Sequence, residues 1–251
     1  MKYITSTTEL SKMMDLVRYV VFPDYSDVPS WTDGPMAIHD ILVLQLLSVM
    51  DGDAEAVASD FVASLDEISR LLHTDVQAVV CNDPAVEDEG EVILCYPAVE
   101  VMLHYRCAHR LLELGVPRIP RMLTEMAHSA TGIDIHPAAV IGEYFAIDHG
   151  TGIVIGATSI IGNHVMLYQG VTLGAKSFSY DENGHPEDLP RHPILEDNVT
   201  VYSNTSILGR VTIGHDTVVG GNIWLTRDVP PCSVIRQVRP FELTAAGPQD
   251  L

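Results

Sequence analysis

Aliphatic residues recur at every sixth position through the second half of the chain, with two interruptions. The recurring residues are Ile135, Ile141, Ile147, Ile155, Ile161, Leu167, Leu173, Leu195, Val201, Ile207, Ile213, Val219 and Leu225. A period of six is neither the 3.6 of an α-helix nor the two of a simple strand. It is typical of hexapeptide repeats, in which each unit forms one short strand and one corner of a parallel β-helix. Unrelated strands of a sandwich are a poor alternative, because the repeat runs without error from Leu195 to Leu225.

Both interruptions of the repeat contain a histidine. Eight residues separate Ile147 from Ile155, so the segment from Asp148 to Gly152 must bulge from the coil. Between Leu173 and Leu195 the repeat gives way to a polar stretch rich in Gly and Pro, which predicts a long loop over residues 175–193. Long loops on a rigid scaffold are commonly functional. The interruptions therefore indicate where chemistry is to be sought.

The first half of the chain has helical spacing instead. Helices are predicted over residues 8–21, 36–50, 54–72, 75–81, 97–114 and 117–129. The predicted fold class is therefore α+β, an α-helical N-terminal domain followed by a parallel β-helix of hexapeptide repeats. The predicted division is a helical oligomerisation domain over residues 1–130, a catalytic β-helix over 131–235 and a C-terminal tail over 236–251.

Composition limits the classes of partner. A formal net charge of −20 argues against nucleic acid, because phosphate binding needs clustered Lys and Arg. The four cysteines lack metal-like spacing and are expected to be reduced thiols of a cytoplasmic protein. The N-terminus lacks the apolar core of a signal peptide, and no run of about 18 apolar residues predicts a membrane span.

Two histidines stand out as candidates for chemistry. His149 lies in the bulge beside Asp148, where an Asp–His pair can act as an oriented general base; from spacing alone this reading and a structural one are equally open. His192 follows Arg191 at the end of the long loop, and a cation beside an imidazole suits a carboxylate. The other solenoid histidines, in regular corners, are interpreted as structural: His136, His164 and His215.

Five segments together resemble serine O-acetyltransferase, a family of hexapeptide acyltransferases. They read TGIDIHP at 131–137, DHGTGIVIG at 148–156, GVTLG at 170–174, RHP at 191–193 and, in the helical half, NDPAV at 82–86. The resemblance implies a left-handed β-helix and a homotrimer, or a dimer of trimers paired through the helical domains. It also implies acetyl transfer from acetyl-CoA to L-serine, the first step of cysteine biosynthesis, with acetyl-CoA as co-substrate, no other cofactor and no metal.

The resemblance also implies a role for each candidate residue. His149 would take the proton of the serine hydroxyl, and Asp134 would hold the imidazole in the required tautomer. Asp83 and Asp148 would bind the substrate ammonium group. The substrate carboxylate would be bound by Arg191 and His192.

Acetyl-CoA would lie near Gly174, Ala175, Ser203 and Gly221, in the groove between adjacent solenoids. The chain departs from the family here, with Ala175 for a second Gly, Ser203 for Ala, a longer loop before Arg191, and no Gly-x-Pro-Ala in residues 236–240. The resemblance further implies L-cysteine as a feedback inhibitor. Many members bind O-acetylserine sulfhydrylase through a C-terminal isoleucine, whereas this chain ends in Leu251.

Three other readings stay open. The same mechanism could serve another amino acid or a small alcohol as acceptor. A metal-binding solenoid of the carbonic-anhydrase type would need a His-x4-His pair in the repeats, which they lack. A regulatory solenoid without catalytic activity would retain only the fold.

Overall fold

The structure is a computed structural model of the chain, and it describes residues 4–25, 34–177, 181–185, 187 and 189–237. Within these residues, seven α-helices precede fourteen short β-strands. The helices are α1 (Thr7–Val21), α2 (Gly34–Leu46), α3 (Ala54–Ala63), α4 (Leu65–Asn82), α5 (Glu89–Cys95), α6 (Pro97–Glu113) and α7 (Ile119–Thr131). The strands are β1 (Asp134–Ile135), β2 (Val140–Ile141), β3 (Ala146–Asp148), β4 (Val154–Ile155), β5 (Ile160–Ile161), β6 (Met166–Tyr168), β7 (Thr172–Gly174), β8 (Ile194–Leu195), β9 (Thr200–Val201), β10 (Ser206–Leu208), β11 (Thr212–Ile213), β12 (Val218–Val219), β13 (Trp224–Leu225) and β14 (Val234–Ile235).

The strands wind into a β-helix of about five turns with three parallel sheets. Sheet A has the order β1-β4-β7-β10-β13, sheet B the order β2-β5-β8-β11, and sheet C the order β3-β6-β9-β12-β14. Each coil thus passes through an A–B, a B–C and a C–A corner before it returns to sheet A. The β-helix is left-handed, in contrast to the right-handed crossovers usual between parallel strands. The predicted fold class is confirmed.

The interior of the β-helix is built from the residues that set the six-residue period. All of the predicted inward aliphatic residues are at most 6% exposed. Equivalent residues pair in register between coils, as Ile135 with Ile155 and Leu173 with Ile207. Successive coils lie about 4.8 Å apart in such a stack, so the branched side chains form continuous ladders.

Two helix predictions are wrong at their boundaries. The helix predicted over residues 54–72 is divided at Ser64, and its second part continues without a break through residues 75–81 as α4. The Ser64 hydroxyl donates to the Phe61 carbonyl at 2.6 Å, and the Ser64 N–H donates to the same oxygen. The Ser64 N–H thus bonds three residues back instead of four, so the last turn of α3 tightens and the helix ends there.

Sequence spacing also missed the short helix α5 and extended α2 too far. The Asp88 carboxylate accepts a hydrogen bond from Glu91 N at 2.8 Å and caps the N-terminus of α5. Helix α2 ends at Leu46 rather than at residue 50. Among the described helices, none has the length and apolar character needed to cross a bilayer.

A buried ion pair fastens the helices to the first coil of the β-helix. Arg106 of α6 donates from Nε and Nη2 to the two carboxylate oxygens of Asp75 on α4, at 3.1 and 3.0 Å. The same guanidinium donates to the carbonyls of Ile141 and Gly142, at 2.7 and 2.6 Å. Asp75 also accepts from Phe145 N at 3.1 Å. One side-chain pair therefore holds both α4 and α6 against a B–C corner.

Candidate active site

His149 lies in the widened C–A corner between β3 and β4. Its φ of 56° is in the left-handed region, which most side-chain-bearing residues avoid. This corner is two residues longer than the regular ones. Its buried position is therefore filled by Ile153, which is fully buried, while Thr151 is exposed. The His149 side chain is 73% exposed, and its Nε2 lies 3.7 Å from Asp148 Oδ1. The imidazole therefore faces solvent rather than the interior of the coil.

The carboxylates of Asp83 and Asp148 share one neighbourhood. Asp83 caps the C-terminus of α4; its Oδ1 accepts from Ala85 N at 2.8 Å and its Oδ2 from the Tyr96 hydroxyl at 2.9 Å. The hydrogen bond to Asp83 raises the pKa of Tyr96 to about 12, with smaller contributions that include the charge of Asp148. Burial raises the pKa of Tyr168, and both carboxylates add to that shift. Two acidic groups near the same two tyrosines suit a cationic ligand.

Arg191 and His192 form the A–B corner at the end of the long loop. Their backbone N–H groups donate to Thr158 Oγ1 at 2.9 and 3.1 Å, so one hydroxyl fixes both residues. His192 Nδ1 accepts from Thr158 N at 3.1 Å. Because a backbone N–H can only donate, the hydrogen of the neutral ring is on Nε2.

The surroundings of His192 keep its ring neutral. Burial lowers the pKa of His192 to about 4, and the charge of Arg191 acts in the same direction. No hydrogen-bond partner of Nε2 is found in the described part of the chain. A Cβ added to Gly156 would lie 2.0 Å from His192 Cδ2 and 2.1 Å from Nε2, so the ring occupies space that only glycine leaves open. His192 therefore offers a single fixed N–H donor.

Asp134 contacts Arg121 and, together with Arg191, acts on the ring of His136. It begins β1, and its Oδ1 lies 3.4 Å from Nη1 of Arg121 on α7. Burial lowers the pKa of His136, with Arg121 and Arg191 lowering it further and Asp134 opposing them. Between His149 and Asp134, the described residues contain neither a hydrogen bond nor an ion pair. One chain thus carries two half-sites, one around His149 and one around Arg191.

The residues expected to contact acetyl-CoA are divided in the same way. Gly174 ends β7 and Ala175 follows it into the long loop, so both lie toward the A–B corner. Ser203 and Gly221 stack in the C–A corner, where a Cβ on Gly221 would lie 3.0 Å from the Ser203 carbonyl. The predicted residues 238–240, with the rest of the tail to Leu251, lie outside the described residues.

Sequence reasoning missed three residues that shape these half-sites. Tyr96 bonds Asp83, Thr158 bonds Arg191 and His192, and Gly156 makes room for the His192 ring. A weak signal existed for Gly156, which occupies a corner where the repeat favours glycine. Tyr96 and Thr158 had none, because their partners are 13 and 33 or 34 positions away.

Fold and site together define a hexapeptide-repeat β-helix protein with charged half-sites on its coils. No model of a known protein family matches the chain. The plasmid-encoded serine acetyltransferase of Synechococcus elongatus is 48% identical over 193 residues, which are 76% of this chain and 60% of that protein. A serine acetyltransferase of Helicobacter pylori is 38% identical over 63% of this chain and 88% of its own length. The crystal structure of serine acetyltransferase 1 of Entamoeba histolytica with L-cysteine matches at a TM-score of 0.81 and 33% identity, over 90% of this chain and 86% of that one.

The chain therefore belongs to the serine acetyltransferase family. The matched region spans only 60–65% of the length of three cyanobacterial relatives. The family resemblance drawn from the motifs is confirmed.

Proposed function

We propose that this protein transfers the acetyl group of acetyl-CoA to the hydroxyl of L-serine, giving O-acetyl-L-serine and CoA. The observation that carries the proposal is a charge pattern, with neighbouring carboxylates in one half-site and an Arg–His pair in the other. These groups match the ammonium and the carboxylate of an α-amino acid. His149 supplies an exposed imidazole beside one of the carboxylates.

In the proposed reaction His149 acts as the general base. It takes the proton of the serine hydroxyl as the oxygen attacks the thioester carbonyl of acetyl-CoA. The carbon–sulfur bond breaks as the ester bond is completed, and the imidazolium returns the proton to the departing CoA thiolate. Asp134 of the neighbouring copy holds the imidazole in its tautomer, and no covalent acyl-enzyme forms.

The remaining residues hold the substrate. Asp83 and Asp148 bind the ammonium group, with Tyr96 orienting the carboxylate of Asp83. The neutral His192 donates from Nε2 to the substrate carboxylate, beside the guanidinium of Arg191. A neutral donor next to a permanent cation is supported by the lowered pKa of His192.

The separation of the half-sites supports assembly from several copies. We propose a homotrimer, or a dimer of trimers joined through the helices, in which the His149 half-site faces the Arg191 half-site of the next copy. Sheet faces carry partly exposed aliphatic residues that suit such contacts, including Val140 at 50% and Ile160 at 39% exposure. Acetyl-CoA then lies in the groove between copies, with Gly174 and Ala175 from one and Ser203 and Gly221 from the other.

The family relationship also supports proposals about regulation and partner proteins. Serine acetyltransferases 1 and 3 of Entamoeba histolytica have been crystallised with cysteine. L-Cysteine carries the same ammonium and carboxylate as L-serine, so we propose that it competes for this site. A cytoplasmic location, a complex with O-acetylserine sulfhydrylase and domain limits at residues 130 and 235 stay proposals.

The acceptor is tested by following thiol release from acetyl-CoA with a panel of L-amino acids and small alcohols, in the presence of a metal chelator. L-Serine is expected to give the highest kcat/KM. A preference for another acceptor would keep the mechanism and change the substrate. Absence of thiol release with every acceptor would contradict the enzymatic proposal.

The base is tested with His149→Asn, because asparagine tolerates a positive φ better than alanine. We expect kcat to fall by about 10² to 10⁴, the usual contribution of a general base. The matched control is His164→Asn, which replaces another histidine at a positive φ, 57°, in a B–C corner. Full activity of His149→Asn would remove the base assignment.

Arg191 is tested through the two Michaelis constants. Arg191→Ala is expected to raise the KM for L-serine far more than the KM for acetyl-CoA, because the guanidinium binds the amino-acid carboxylate. Equal changes in both constants would reassign Arg191 to a structural role.

A further inference from the structure

A second cluster of chemically active side chains lies at the far end of the β-helix, away from both half-sites. His215 and Asp216 form the B–C corner between β11 and β12, and Cys232 lies in the same corner one coil later, before β14. One ligand atom from each residue lies within 4.8 Å of the other two, and all three residues are exposed. His149 lies in a C–A corner of the first coil, so this cluster is separate from the proposed reaction.

The backbone holds the two corners of the cluster together. Cys232 N donates to the His215 carbonyl at 2.8 Å, so the thiol is kept above the His215–Asp216 pair. Asp216 Oδ2 accepts from His215 Nδ1 at 2.7 Å, and Asp216 Oδ1 accepts from Asn198 Nδ2 at 3.0 Å. These two hydrogen bonds orient the Asp216 carboxylate beside the imidazole of His215.

Cys232 has the backbone conformation that is common to this corner of the β-helix. Its φ is 56°, and the same corner holds Tyr144, His164, Asn198 and Asp216 at 55–60° in the earlier coils. Because the corners stack with the same backbone geometry, the thiol of Cys232 lies next to the side chain of Asp216 in the coil before it.

A thiolate, an imidazole and a carboxylate form a ligand set for a borderline divalent cation. Zn²⁺ binds sulfur at about 2.3 Å and nitrogen or oxygen at about 2.0–2.2 Å, which separates tetrahedral ligands by about 3.3–3.8 Å. The present separation of up to 4.8 Å closes to that value by small side-chain rotations, which exposed residues make freely. Water would complete the tetrahedron.

We propose that His215, Asp216 and Cys232 bind one Zn²⁺ ion, which fastens the last coil of the β-helix to the coil before it. Binding releases the thiol proton of Cys232 to solvent as the thiolate coordinates the metal. The strand that the ion secures is β14, the last strand of the described residues, which pairs only with β12. The ion acts as an end clamp of the solenoid and takes no part in acetyl transfer.

Co²⁺ tests the site directly, because a thiolate bound to Co²⁺ gives an intense near-ultraviolet charge-transfer band. The full chain is reduced, freed of metal with chelator and titrated with Co²⁺. We expect a band that saturates at one Co²⁺ per chain, together with the visible bands of tetrahedral Co²⁺, and its loss on addition of Zn²⁺. Zn²⁺ is also expected to raise the Tm of the chain.

Variants assign the ligands. Cys232→Ser is expected to abolish the charge-transfer band and the Zn²⁺-dependent rise in Tm, and His215→Gln to weaken Co²⁺ binding at least tenfold. The matched control is Cys95→Ser, which removes another exposed thiol and should leave both readouts unchanged. Absence of a thiolate band in the unaltered chain, or its persistence in Cys232→Ser, would overturn the proposal.

Discussion

Gly156→Ala tests whether the space that Gly156 leaves for the His192 ring controls recognition of the carboxylate of L-serine. A methyl group on Gly156 would lie 2.0–2.1 Å from Cδ2 and Nε2 of His192, far inside van der Waals contact. Gly156 does not have a positive φ, so alanine meets no backbone strain there. The substitution should therefore displace the His192 ring while leaving the coil intact.

The expected magnitude follows from the bond that is lost. Displacement breaks the hydrogen bond from Thr158 N to His192 Nδ1, and with it the alignment of the Nε2 donor. A hydrogen bond to a charged group contributes about 1.5–3 kcal/mol. At about 1.36 kcal/mol per factor of ten, the KM for L-serine should rise about 10- to 150-fold.

Steady-state kinetics with each substrate varied in turn measure this effect. The KM for acetyl-CoA and the Tm should change little, and Gly52→Ala, whose methyl would meet only the flexible end of Met50, serves as control. Since Gly156→Ala acts through His192, the double variant with His192→Ala should be no worse than His192→Ala alone. Additive losses, or an unchanged KM for L-serine, would refute the reasoning.

Three further outcomes are expected. Tyr96→Phe removes the hydroxyl that orients Asp83 and should raise the KM for L-serine about tenfold, with the KM for acetyl-CoA unchanged in the same assay. Arg106→Met leaves the buried carboxylate of Asp75 unpaired and should lower the free energy of unfolding by about 3–5 kcal/mol in urea titrations. Because the pKa of His192 is lowered from 6.5 to about 4, the unfolded chain takes up a proton there before the folded chain does as pH falls through this window. The stability attached to neutral His192 is therefore present above pH 6.5 and lost toward pH 4, so the fall in Tm from pH 7 to pH 5 should be smaller in His192→Asn.

Matched variants separate these effects from general damage. Tyr25→Phe alters a tyrosine that lines the same cavity as Tyr96 but, among the described residues, makes no hydrogen bond to Asp83, and it should leave both KM values unchanged. Arg110→Met breaks a surface ion pair with Glu113 and should cost less than about 1 kcal/mol. An Arg106→Met variant as stable as Arg110→Met, or a His192→Asn variant whose Tm falls as steeply as that of the unaltered chain, would contradict the respective prediction.

The sequence predicted the β-helical half of the chain more completely than the α-helical half. Every aliphatic residue that the six-residue period placed inward is buried, because each coil repeats the same environment and pairs only with its neighbours. The helical half has no such repetition. The division at Ser64 depends on a local hydrogen bond, and apolar spacing alone passes over it.

The candidate residues show the same limit at finer scale. The motifs drew attention to His149 and His192 because both interrupt the repeat. The tautomer of His192 depends on Thr158, and the position of its ring depends on the space beside Gly156. Both residues lie in an earlier coil. The Asp83 carboxylate is likewise oriented by Tyr96 from the start of another helix.

By itself, then, the sequence determined the period, the buried ladders and the family, since these follow from a pattern that nearest neighbours along the chain and between coils enforce. Only the tertiary structure decided the division of the charged residues into two half-sites and the attachment of α4 and α6 through Arg106 and Asp75. It alone brought Cys232 against His215 and Asp216. Such contacts join residues far apart in the chain, and their geometry is set by how the coils stack and where the helices pack.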